Sequence, residues 1–123
     1  MTDDTSTPLR VRMTSALTAS MKARDRVAVA ALRSALARVA NAEAVPVDSV
    51  PRAGAVEAAA VGVGAADAAR RELTEADVRR LVEAEVTEHE DAAAHLIAIG
   101  RADDAARVTG EAEVLRALLA GSR

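Results

Sequence analysis

A chain of 123 residues with a formal charge of −3 is long enough for one domain with a modest core. It contains no Cys, which excludes disulfides, thiolate metal sites and a Cys nucleophile, and no Phe, Tyr or Trp, which excludes RNA reading by stacking bases on aromatic rings. Ala accounts for 32 residues, so Leu, Val, Ile and Met must supply most of the burial energy, and closely packed helices are expected.

Residues 1–6 are polar and acidic and lack the basic and apolar segments of a signal peptide. Thr7-Pro8 offers a hydroxyl N-cap followed by Pro at the first helical position. Leu9, Met13, Leu17 and Met21 then recur at intervals of four, which predicts the buried stripe of a first helix. Leu and Met at this spacing are core residues rather than a cofactor box. Lys22 to Asp25 interrupts the pattern, and Asp25 is placed to cap a second helix with the face Val29, Leu32, Leu36 and Val39. So short a connection predicts an antiparallel hairpin over about 8–43. Lys22, Arg26 and Arg33 make a positive stripe away from that face, readable as a solvated surface or as a site for phosphate or an acidic partner.

Residues 44–66 hold two Pro and three Gly without a sustained period, and read as a long loop with a turn of helix near Ala58. Gly62-Val63-Gly64 lacks the Lys-Ser/Thr ending and the preceding strand of a phosphate loop. The longest weakly polar run, 53–66, is too short to span a bilayer, so a cytoplasmic protein without membrane contact is expected. Residues 67–72 read as a short helical lead-in carrying Arg70 and Arg71.

Thr74-Glu75-Ala76-Asp77 has the form of a capping box, and nothing interrupts the chain from there to Gly100, which is placed for a left-handed C-cap. This predicts a long central helix over 75–99 with Val78, Val82, Val86, Ala93, Leu96 and Ile97 on its buried face. Asp103 and Asp104 open a fourth helix whose face is Ala105, Val108, Ala112, Leu115 and Leu119, with Gly110 marking a close contact or a weak point. The expected architecture is all-α: two helical hairpins, about 8–43 and 67–120, forming one four-helix domain over 1–123 with the 44–66 loop between them. Residues 1–43 carry a balance of +3 and residues 44–123 one of −6, so the halves are disposed to attract each other.

Chemistry-bearing constellations are few. His89 and His95 lie six residues apart on one helix and cannot join in one metal site, while Glu85 and His89 offer two ligands at most. No metal and no cofactor is expected. His89 falls beside the apolar seam between Val86 and Ala93, which makes Glu85 and His89 candidate interface residues for a homodimer or a protein partner. Glu83, Glu85, Glu88, Glu90 and Asp91 read as a solvated acidic face, because acid–base work needs a cleft that splits carboxylate pKa values. No Gly-X-Ser-X-Gly elbow is present, so no catalytic residue is assigned. The candidate binding residues are the cations Lys22, Arg24, Arg26, Arg33 and Arg101, as contacts to an anionic partner.

The run Met21-Lys22-Ala23-Arg24-Asp25, then Leu32-Arg33, then Asn41-Ala42-Glu43 resembles the opening signature of the YqeY family, proteins related to the tail of GatB, a tRNA-dependent amidotransferase subunit. Gly100-Arg101, Ala105, Glu111 and Leu118-Leu119 match its second signature in order and spacing. The resemblance implies an all-helical protein with a family label of carbon–nitrogen ligation using glutamine as amide donor, and partners among tRNA or the amidotransferase and aminoacyl-tRNA machinery. Family members usually carry a further three-helix domain, so this sequence reads as a short form, and it has Thr87-Glu88-His89 where the family places Lys-Gln-Arg. Releasing ammonia from glutamine needs an activated Cys or a Ser–Lys arrangement, and the sole Lys, Lys22, has no nucleophile loop beside it. The expected role is therefore a non-catalytic accessory or binding module. A protein–protein or homodimer module with no nucleic-acid role is the alternative.

Overall fold

The computed structural model describes residues 7–44 and 72–121, and these form four helices: α1 (Leu9–Ala23), α2 (Arg26–Ala44), α3 (Glu75–Ala98) and α4 (Ala102–Leu119). The all-α expectation holds, with two hairpins in the predicted order. The predicted 44–66 loop, whose first residue Ala44 instead ends α2, the turn near Ala58, the Gly62–Gly64 segment and the 67–72 lead-in, apart from the non-helical Glu72, lie outside the described residues. No helix among the described residues is long and apolar enough to cross a membrane.

Each helix is delimited mainly by local chemistry. At the start of α3, the Asp77 N–H donates to Thr74 Oγ1 and the Thr74 N–H donates to Asp77, both at 3.0 Å, which completes the capping box. Asp25 caps α2 by accepting the Ala28 N–H at 3.0 Å. Asp103 and Asp104 occupy the first turn of α4, where carboxylates complement the helix dipole.

The start of α1 departs from expectation. Pro8 is the N-cap residue rather than the first helical residue, and no side chain of its own segment caps the helix. The Leu9 N–H instead donates to Glu75 Oε2 at 2.8 Å, so a carboxylate from α3 supplies the missing cap. The end of α4 is tied in the same way. Arg12 donates to the Leu118 carbonyl at 2.7 Å and Arg79 to the Leu119 carbonyl at 2.8–2.9 Å, so guanidiniums from α1 and α3 clasp the free carbonyls there.

One core joins all four helices: Leu9 and Met13 from α1, Leu32 and Val39 from α2, Val82 and Val86 from α3, Ala112 and Leu115 from α4. Ala28, Ala31 and Ala35 fill the α2 face between the larger side chains and let the helices approach closely. Gly110 of α4 faces Val27, and a Cβ at that position meets Val27 Cγ1 at 3.4 Å, an ordinary van der Waals contact, so the packing there does not by itself require glycine. A second, smaller cluster of Ala93, Ala105 and Val108 with Leu96 contains only α3 and α4 residues.

Three residues of the predicted stripes are not core: Val29, half-buried and outside both clusters, and the more exposed Met21 and Ile97. Met21 is 50% exposed and Ile97 63% exposed. Both lie in the last turn or so of a helix, where the partners that bury the preceding turns no longer cover the face.

Candidate functional site

At the α1–α2 turn the chain carries a basic groove of about 500 Å³ lined by Met21, Arg24, Arg26, Val29, Ala30 and Arg33. The geometry follows from the helix register. Arg26, Val29, Ala30 and Arg33 stand at spacings of three, one and three along α2, hence on one face, while Met21 and Arg24 come from the end of α1 folded back beside it. Its apolar lining is Met21, Val29 and Ala30; the cationic groups are three guanidiniums, with no acidic residue in the lining.

The charges of this groove differ from the others in having no partner among the described residues. Among the described residues every arginine outside it has a partner. Arg10 pairs with Glu43, Arg80 with Asp77, Arg101 with Asp104, Arg107 with Asp104 and Glu111, and Arg116 with Glu90. Arg38 pairs with Glu85 and Glu88, while Arg12 and Arg79 hold backbone carbonyls. Lys22, Arg24, Arg26 and Arg33 make no ion pair and no side-chain hydrogen bond among the described residues, and all four are exposed.

Arg24 is held in an uncommon way. It is the one non-glycine residue with positive φ among the described residues, at φ 60° and ψ 36°. It occupies the left-handed position of a Schellman turn, with its own N–H on the Met21 carbonyl at 3.1 Å and the Asp25 N–H on the Ser20 carbonyl at 2.9 Å. The end of α3 makes the same turn with glycine: Gly100 has φ 83°, and the Gly100 and Arg101 N–H groups bond the Ile97 and Leu96 carbonyls. Gly121 after α4 is again left-handed, at φ 92°. A side chain at such a position costs on the order of 1 kcal/mol relative to glycine.

Of the five cations singled out in the sequence, the structure brings Arg24, Arg26 and Arg33 into one groove and leaves Lys22 exposed on the turn before it. Arg101 is not among them. It sits in the α3–α4 turn, paired with Asp104, in a separate depression formed by residues 100–104.

Glu85 and His89 are engaged inside the monomer. Glu85, 5% exposed, accepts from Ser34 Oγ and, at 2.8 Å, from Arg38 Nε of α2. Arg38 also binds Glu88, and that hydrogen bond is the largest influence on its guanidinium, raising the pKa above the ordinary arginine value; burial opposes the rise and Glu85 adds to it. His89 Nδ1–H donates to the Glu85 carbonyl at 2.8 Å, and Nε2 lies 3.0 Å from Glu111 Oε1 of α4. The acidic face of α3 is therefore partly internal: Glu85 and Glu88 fasten α2, and Glu90 fastens α4 through Arg116. Ser34 and Arg38 were not singled out in the sequence, though they stand four apart on one face of α2, as a pair gripping one carboxylate requires.

No group of three or more His, Asp or Glu among the described residues is arranged to hold a metal ion. Ser34 is hydrogen-bonded directly to a carboxylate with no imidazole interposed, an arrangement unlike the nucleophile–His–acid order of acyl-transfer sites. Compared with protein-family models, with curated proteins and with solved structures, the chain matches none of them.

Proposed function

We propose that the protein is a non-catalytic helical binding module that takes an anionic macromolecule on the groove between the end of α1 and the start of α2. The observation that carries this reading is the contrast in engagement: among the described residues, three groove arginines and Lys22 have no partner, whereas every other arginine has one. Unpaired cations converging on one surface attract an anionic partner and lose little when it arrives, because no internal ion pair has to break. The YqeY-like signatures support tRNA as that partner, since Arg24 and Arg33 fall within them and the family is related to an amidotransferase subunit. With no aromatic side chain in the chain, contacts to such a partner run through its phosphates rather than its bases. Any link to glutamine-dependent carbon–nitrogen ligation is then accessory to catalysis by another protein.

The test is a titration of labelled bulk tRNA at low and at moderate salt. Wild-type binding is expected to fall steeply with salt, and reversal of Arg26 and Arg33 to Glu to abolish it. Each phosphate that a milder, neutral substitution leaves without its cation flattens the logarithmic salt slope by about 0.7–0.9. Absence of wild-type binding at low salt overturns the tRNA reading. It favours a protein partner instead, for which the exposed Ile97 and Ile99 at the end of α3 are the apolar surface at hand.

A further inference from the structure

We infer that Arg24 is a ligand-contacting residue kept at a backbone position where glycine is more stable, and that the group it meets is a phosphate of a polyanion. This rests on the reading of the groove as an anion site. The molecule contains its own control. Helices α1, α3 and α4 are each followed within two residues by one in the left-handed region, and the chain places Gly100 and Gly121 at two of these positions but Arg24 at the third. A Cβ built at Gly100 meets nothing within 4 Å, so glycine there answers to backbone conformation alone. The α1 turn has the same two closing hydrogen bonds as the α3 turn and gains no visible stability from its side chain, because Arg24 is exposed and bonds through it to none of the described residues. What the side chain does is line the groove with Arg26 and Arg33.

The ligand class follows from donor counting. Each guanidinium presents a planar fork of N–H donors and no acceptor. Three of them line one groove with no carboxylate among them, which matches a ligand with several charged oxygens on successive groups. A single carboxylate, with two oxygens, satisfies one fork. A chain of phosphates satisfies all three.

The experiment measures thermal midpoint and affinity side by side for wild type, Arg24→Gly and Arg24→Ala, with inorganic polyphosphate, bulk tRNA and poly-glutamate as probes at one ionic strength. Arg24→Gly is expected to raise the midpoint by about 3–6 °C while weakening polyphosphate and tRNA binding about tenfold. Arg24→Ala is expected to lose the same affinity without the gain in midpoint, since alanine keeps the Cβ that the left-handed region disfavours. Polyphosphate binding alongside tRNA marks the phosphate chain itself as what is read; poly-glutamate binding as tightly as polyphosphate overturns the phosphate assignment. An unchanged midpoint in Arg24→Gly overturns the backbone-cost argument. Undiminished affinity in Arg24→Gly, with affinity lost on reversing Arg26 and Arg33, overturns the role of Arg24 and leaves the groove standing. If wild type binds none of the probes, the groove reading itself fails.

Discussion

The two hairpins solve the same problem with opposite chemistry. Each reverses direction through a left-handed turn, but the α1–α2 turn carries Arg24 beside cations that have no partner among the described residues, while the α3–α4 turn carries Gly100 beside Arg101, already paired with Asp104. The distribution of charge follows this division. Residues 7–44 hold seven Lys/Arg against two acidic residues, and residues 72–121 hold five against twelve. Little of that imbalance is cancelled across the interface, where Arg38 is the arginine of the first hairpin that forms ion pairs with the second. The hairpins are joined chiefly by apolar burial, with one side-chain polar clasp at Glu85 and Glu88 and two ties to backbone groups, the Leu9 N–H on Glu75 and Arg12 on the Leu118 carbonyl, and the remaining positive charge is left facing outward. A charge difference between two halves of a sequence thus need not be a docking device; here most of it stays available to a partner.

The largest effect that sharpens the contrast comes from the polar clasp. Glu85→Ala is expected to cost about 1–3 kcal/mol, because it removes the buried carboxylate that Ser34 and Arg38 both grip; the exposure of Ser34, the second partner Glu88 and solvent keep the loss from being larger. A urea midpoint equal to wild type would show that α2 does not depend on this grip. Next comes the reciprocal of the Arg24 substitution. Gly100→Arg is expected to destabilise by about 1 kcal/mol with no gain in polyanion affinity, since the turn there offers no groove of free cations. A neutral result in thermal melts would remove the backbone-cost half of the comparison. The smallest change is expected from Arg33→Ala. Arg33 lies five residues before Arg38 on the same helix but is exposed and has no partner among the described residues, so its loss is expected to leave the melting midpoint in place while lowering affinity for tRNA.

What the sequence disclosed was local. The Thr74–Asp77 box, the Asp25 cap, the left-handed Gly100 and the stripe positions Leu32, Val39, Val78, Val82, Val86, Ala112 and Leu115 depend on neighbours within one or two turns, and these appear in the structure as read. Periodicity also places Met21 and Ile97 on buried faces, and there it misleads, because burial depends on how far the partner helices extend alongside. The Glu75 cap on α1 joins residues 66 apart, and Ser34 and Arg38 reach Glu85 across about 50 positions; no spacing rule addresses such pairs. Of the groove, the cations were legible as a cluster on α2 and its entry. The left-handed backbone of Arg24 was not, because nothing local to an arginine announces positive φ.

The borrowed cap of α1 has a further consequence. An amide whose acceptor belongs to its own helix exchanges with solvent when that helix frays, whereas the Leu9 amide has its acceptor on α3. Leu9 itself is fully buried in the shared core. Its amide proton is therefore released when α1 and α3 part at this end as well as when the first turn of α1 frays, so its exchange rate reports on contact between the hairpins in a way that an amide bonded within its own helix does not.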